Sequence, residues 1–392
     1  MKSQGVNYDV GTHLVGYLNR EVSLEKMQEE IEMIEKDLHA NSIRIYGMEK
    51  DKLHDASKIA LDKGMEVWYS PRHINLSPDQ TLKQIAQYAK DAETLRKENP
   101  NIIFVLGNEF TLDVNGFFEG KYWVDRHPEM GNEKQKQANT KLKTFLKKAT
   151  KIARENFGGK ITYASGFWED VDWNDLDFVS VNKYMFGWNK DSYERELKNL
   201  KQYGKPVVIT EFGGGSFKGA YDRDEPSHTI VDWKNHKIKE GYERDEGEQG
   251  EHMKKLLNMF EKEGIYGAFP FTFVEENYPH KNNPREDLDM ASYNLVKILE
   301  DGSYAPKKSF KEISKFYRNH KNNNNRIGSK GLEKVIAFLS SAFLMGSIFF
   351  FSPNITGRVI GQLNNNATNL LGIILLTFTL IAGFFLINKK IN

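Results

Sequence analysis

Residues 102–110 read IIFVLGNEF, an unbroken apolar run that ends in Asn108-Glu109. Continuous rather than alternating apolarity over so short a stretch is what a parallel strand covered on both faces requires. Working outward, the same form recurs at GVNYDV (5–10), SIRIYG (42–47), MEVWYSP (65–71), KITYASGF (160–167), FVSVNKY (178–184), PVVITEFG (206–213) and YGAFPFTFVE (266–275). Most intervals hold an amphipathic helical pattern. After Ser23, the apolar positions Leu24, Met27, Ile31, Ile34 and Leu38 step by three or four, which builds one helical face. Ser77-Pro78-Asp79-Gln80 offers an N-cap, a proline at the first helical position and a capping-box partner. Gly64, Gly158, Gly204 and Gly264 stand where a helix gives way to the next strand, and glycine tolerates the left-handed turn that ends many helices. The cadence predicts repeated βα units. A doubly wound open sheet gives a similar cadence, but eight units, with no GxGxxG or Walker loop after the early strands, predict a closed (β/α)₈ TIM barrel over residues 1–320.

The rest of the 392-residue chain reads as a separate module. VIAFLSSAFLMGSIFFF (335–351) and LLGIILLTFTLIAGFFLI (370–387) carry no charge, and each approaches the length needed to cross roughly 30 Å of hydrocarbon. Both are apolar all round, which favours two transmembrane helices (about 333–352 and 370–388) over a hairpin packed on the barrel. Residues 321–331 form a polar, basic linker before this module, 332–392. Arg326, Lys330 and Lys334 precede the first span and Lys389 and Lys390 follow the second, while the loop between has only Arg358. This asymmetry places both termini, and hence the barrel, on the cytoplasmic side. MKSQGVNYDV at the N-terminus has no apolar signal core, in keeping with that orientation. Neither span carries an ionisable residue to mark an ion path, so the module reads as an anchor.

Composition narrows the function further. The net charge of +1 gives no global pull toward nucleic acid. It conceals an asymmetry: from Lys321 onward seven Lys and Arg face Glu333 alone, for +6, and the remaining 48 basic and 53 acidic residues give −5. The absence of cysteine excludes disulfides, thiolate metal sites and cysteine nucleophiles, and fits a reducing compartment. His13, His73 and His280 are scattered, with no HExxH or other compact motif, so neither a metal nor another cofactor is expected.

In a barrel of this kind chemistry sits where strands end and βα loops begin. Glu109 ends strand four and Glu211 ends strand seven, each after an apolar run that holds it on a rigid element. Taken singly, either is better explained as a structural ion pair or a solvated loop acid. Together they point to catalysis, because a carboxyl pair can divide labour between a protonated acid and an ionised nucleophile.

Asn108-Glu109 on strand four, Tyr184 closing strand six and Glu211 on strand seven resemble the pattern of clan A glycoside hydrolases. The resemblance implies cleavage of an O-glycosidic bond by a two-glutamate, retaining mechanism, with Glu109 as acid/base and Glu211 as nucleophile. It further implies that Asn108 bonds the sugar's 2-hydroxyl, that Tyr184 bonds Glu211 and that Arg44 on strand two keeps Glu211 ionised. Over residues 5–318 the chain also resembles bacterial proteins labelled abortive infection proteins. The shared phrases include GMEVWYSP (64–71), ITYASGFWEDVDW (161–173), VVITEFG (207–213), YERDEGEQ (242–249) and DLDMASY (287–293). That label implies a part in phage defence and names no substrate. One departure stands out: clan A usually closes strand eight with a Trp under the sugar, and here the strand reads AFPFTF. Phe271 or Phe273 then supplies the apolar platform, and Pro270 implies a bulge or an early strand end.

Other rim candidates are less specific. Trp68, Trp168, Trp173 and Trp188 lie near strand ends and have faces suited to sugar rings, although packing is the plainer account. Asn182, two residues before Tyr184, shares its direction and lines the pocket or bonds neighbouring backbone. Glu275, Asp287 and Asp289 read as solvated loop acids. Two functions follow: a membrane-tethered glycosidase-like hydrolase acting on a carbohydrate or glycoside, or a non-catalytic barrel that binds a carbohydrate, nucleotide or phage component and signals through its anchor.

Overall fold

The N-terminal strand β1 comes in two pieces, and the break joins the sheet into a ring. Ser3–Gln4 pairs in parallel with strand β8 (Gly267–Pro270), and Asn7–Asp9 pairs with β2 (Ser42–Gly47). The computed structural model describes residues 1–12, 20–126 and 132–320, with Ile374. From β2 the parallel order continues through β3 (Glu66–Pro71), β4 (Ile102–Asn108) and β5 (Lys160–Ala164). A parallel bridge, Ser165 to Val181, links β5 to β6 (Val179–Asn182). β6 pairs with β7 (Val207–Phe212), and β7 with β8, which completes the barrel.

The helices follow the sequence cadence. They are α1 (Leu24–Lys36), α2 (Lys50–Asp62), α3 (Pro78–Glu98), α4 (Asn132–Asn156), α5 (Tyr193–Asn199), α6 (Glu246–Lys262) and a last helix, α7, over 308–320. Ser23 caps α1 by accepting from the Lys26 amide at 3.2 Å. The Ser77–Gln80 capping box forms in both directions at the start of α3. Between β5 and β6 the chain makes turns and no helix. Gly64, Gly204 and Gly264 take the left-handed conformation (φ +77°, +65° and +65°). Gly158 does not: its amide donates to Glu93 Oε2 at 3.0 Å instead.

Strand alternation divides the core. Phe104, Leu106 and Ile209 face outward and pack with Ile31, Ile85 and Leu256 of the helices. Ile103, Val105 and Val208 face inward and meet Trp68, Phe178 and Phe269 in a fully packed barrel interior. Trp68 is therefore corrected. Its indole is fully buried, 5.1 Å from both Phe178 and Phe269, and its N–H donates to Glu66 Oε1 at 2.8 Å, so it forms the floor of the barrel and not a sugar platform. Trp173 is likewise core.

Residues Met1–Tyr317 form one compact unit. Among the described residues no helix is long and apolar enough to cross a membrane. The linker at 321–331 and, Ile374 apart, the two expected spans lie outside the described residues.

Candidate active site at the C-terminal rim

Strict alternation would turn two of the candidate residues away from the barrel axis. Val208 and Thr210 face inward, so Glu211 should face the helices; Ile103 and Val105 face inward, so Asn108 should face out. The register shows why neither does. Between Ile209 and Glu211, β7 holds a residue more than β6, and between Ile209 and Phe212 one more than β8. Between Val105 and Asn108, β4 likewise holds one more than β5. Such bulges re-aim side chains at strand ends, and here they bring Asn108 and Glu211 to one cavity. Glu109 lies one residue beyond β4, in the left-handed region (φ 39°, ψ 53°), at the head of a one-turn helix, Phe110–Asp113.

The cavity measures about 300 Å³ and opens at the strands' C-terminal ends. Asn108, Glu109, Asn182, Tyr184, Glu211, Trp168 and Phe271 all line it. Arg44 lies beneath, wholly buried, and joins its two halves. Its Nη1 donates to Glu211 Oε1 at 3.0 Å and to Asn7 Oδ1 at 2.9 Å, and its Nη2 donates to Asn108 Oδ1 at 2.8 Å. The Tyr184 hydroxyl donates to the other oxygen of Glu211 at 2.9 Å. Asn182 Nδ2 donates to Asn108 Oδ1 at 3.1 Å and to Glu109 Oε1 at 2.8 Å, while its Oδ1 accepts from Thr210 Oγ1 at 2.8 Å. With both bonds taken by Asn108 Oδ1, its NH₂ is the donor left for the pocket.

The two carboxyls sit in opposite settings. Glu211 has a guanidinium and a phenol on its oxygens. Among the described residues Glu109 has one amide donor and no ion pair; burial first, and the charge of Glu211 second, push its carboxyl well above the usual range. Such a setting favours the proton on Glu109.

Phe273 does not join the site. β8 ends at Pro270, as the proline implies, and the Phe271–Thr272 peptide is cis. The chain then turns, Phe273 N–H bonds the Asn7 carbonyl at 3.0 Å, and the buried ring packs 6.3 Å from Tyr8 and 6.2 Å from Tyr304. Phe271 is the ring that faces the pocket, stacked 6.0 Å from Tyr46. Trp168 lines the wall and donates from Nε1 to Thr111 Oγ1 at 2.9 Å.

The loop acids also need correction. Asp287 and Asp289 are buried, not solvated: Arg244 reaches both at 2.7 Å, and Lys307 reaches Asp289 at 2.9 Å. With His280 they approach within 4.8 Å of one another, as metal ligands would, but Arg244 and Lys307 already neutralise them. Glu275 lines the pocket, and burial, then the charge of Asp9, pushes it up to about 8.

Sequence reasoning missed Tyr46, Arg72, Phe167, Phe186 and Tyr293, all on the cavity wall. Tyr46, two residues after Arg44 on β2, was within reach of the alternation argument. Arg72 follows the end of β3 and is held bidentate by Asp113 at 2.9 and 3.1 Å.

Among solved structures, the barrel is similar to GH113 β-1,4-mannanases. One, solved as a complex, superposes with a TM-score of 0.55 at 14% identity and covers 81% of this chain and 99% of that one. A second GH113 β-1,4-mannanase gives 0.54 at 15%, with the same coverage. The GH113 β-mannanase of Alicyclobacillus acidocaldarius, in complex with ManMIm, gives 0.52 at 12% and covers 81% and 97%. At these identities the likeness is one of fold. No family model and no curated protein matches the chain.

Proposed function

We propose that this barrel is a glycoside hydrolase in which Glu211 is the nucleophile and Glu109 the acid/base. The observation that carries the reading is the asymmetry of the pair: Arg44 and Tyr184 stabilise charge on Glu211, whereas burial beside that charge favours the proton on Glu109. In the first step Glu109 protonates the leaving oxygen as Glu211 attacks the anomeric carbon and the glycosidic bond breaks; in the second Glu109 takes a proton from water as the water oxygen bonds the anomeric carbon and Glu211 leaves as a free carboxylate. The NH₂ of Asn108 faces the pocket as a donor for the sugar's 2-hydroxyl, a bond that strengthens in the transition state.

Wild type, Glu211→Gln and Glu109→Gln are to be assayed on manno-, gluco- and related oligosaccharides, β-1,4-mannosides first because the fold is similar to proteins that bear that activity in their names. Glu211→Gln should lose activity on the order of 10³-fold or more, and Glu109→Gln about 10²–10⁴-fold on unactivated glycosides. Full turnover by Glu211→Gln on any substrate sinks the proposal. A second reading, a non-catalytic carbohydrate-binding barrel, is favoured by one observation: the smaller Phe271 ring at the place where a Trp is usual. Binding of oligosaccharide without turnover by wild type would select it. The finer proposals from sequence belong with either reading: a two-span membrane tether, a barrel on the cytoplasmic face, and a part in phage defence.

A further inference from the structure

The phrase ITYASGFWEDVDW folds around a carboxylate that the proposed chemistry does not use. Glu169 Oε1 accepts from the Thr111 amide at 3.0 Å and from Thr111 Oγ1 at 2.7 Å. Its Oε2 accepts from the Tyr163 hydroxyl at 2.7 Å and from the Gly166 amide at 3.0 Å. The Tyr163 oxygen in turn accepts from the Phe110 amide at 2.6 Å.

These bonds converge on the turn that follows Glu109. A one-turn helix starts with amides that have no partner of their own. Here the Leu112 and Asp113 amides bond the Glu109 carbonyl at 2.8 and 2.9 Å. The two before them are held from the neighbouring strand and the loop that follows it: Phe110 by Tyr163, Thr111 by Glu169. Glu109 itself has no side-chain cap bond and a left-handed backbone, which a residue with a Cβ adopts only where its surroundings over-determine it. Glu169 and Tyr163 are those surroundings, on a rim tied further by Trp168 Nε1 to Thr111 Oγ1. Among the described residues four donors and no salt bridge meet Glu169, and burial pushes its carboxyl up to about 7. A carboxylate kept there serves through its acceptor geometry.

We infer that Glu169 is a positioning residue: through Thr111, and with Tyr163 through Phe110, it fixes the left-handed turn that aims the carboxyl of Glu109 into the pocket. The inference rests on the reading of Glu109 as acid/base. Glu169→Gln keeps the size and one acceptor oxygen but places an NH₂ against donors. Acid assistance matters most for poor leaving groups and little for a strongly acidic phenol. In the full-length chain, kcat/KM of Glu169→Gln should fall about 10²-fold on unactivated glycosides and about 3-fold or less on 2,4-dinitrophenyl glycosides. That is the pattern of Glu109→Gln in weaker form. A crystal structure of the variant should show Glu109 out of the left-handed region. If Glu169→Gln does not fold, Tyr163→Phe removes only the bridging hydroxyl and should give the same leaving-group pattern. An equal loss across leaving groups, or none, in an active background overturns the inference and leaves the glycosidase reading intact. A wild type that cleaves no glycoside overturns both.

Discussion

Arg44 is one cation with two tasks. Its Nη1 neutralises Glu211 and its Nη2 fixes the amide of Asn108. Removing it would leave the buried Glu211 carboxylate without its counter-charge, a change that costs about 3–5 kcal/mol in other proteins. The same bond leaves Glu109 the uncompensated member of the pair, and a pH profile follows. Activity on unactivated glycosides requires Glu109 protonated, so the alkaline limb of kcat/KM should lie well above the ~4.3 of an ordinary glutamate and vanish in Glu109→Gln. The sign for stability is the same. A carboxyl whose folded value is raised contributes stability below its unfolded value, and that contribution is lost as pH rises through the folded one. An alkaline limb inside the ordinary carboxylate range would refute the assignment. At this scale the sequence was informative where a polar residue broke an apolar run, as at Asn108, Glu109 and Glu211. It was silent at Arg72 and Tyr293, which lie in loops whose path only the tertiary fold determines.

The strands and helices were legible because their signals are local. SIRIYG is β2 residue for residue, and Ser77 with Gln80 forms the box that its spacing implies. Bulges are different. The extra residues in β4 and β7 are set by pairing with neighbours far along the chain, so alternation within either strand alone gives the wrong face for Asn108 and Glu211. Junction glycines fall between these cases. Gly64 has φ +77° and nothing within 4 Å of an added Cβ, so its value is conformational alone. Gly64→Ala should destabilise the barrel by about 1–2 kcal/mol in denaturant unfolding. Gly158 lacks the left-handed backbone, and its Cβ would meet the Arg96 guanidinium at 3.0 Å, the far end of a flexible side chain. Gly158→Ala should therefore cost less. Equal losses at the two positions would show that both glycines are kept for something other than backbone conformation.

Over the whole molecule, charge is distributed unevenly. The 1–320 region carries −5 and the remainder +6, with the cations gathered on the outer flanks of the two apolar stretches. Lys and Arg resist translocation, so the proposed tether would keep these flanks, and the barrel with them, in the cytoplasm. That proposal would constrain the substrate: on that face lipid-linked or small soluble glycosides would be the accessible ones, and extracellular polymers would not. A cytoplasm-active reporter fused after Asn392 should be active, and the chain should stay with membranes through an alkaline carbonate wash. Release by carbonate would remove the tether, leaving the apolar stretches to be explained as protein–protein packing. Retention with an exported reporter would keep the tether but turn the barrel outward. Glu109 and Glu211 would then face periplasmic or extracellular glycans, and the first substrates to assay would be polymers rather than lipid-linked sugars.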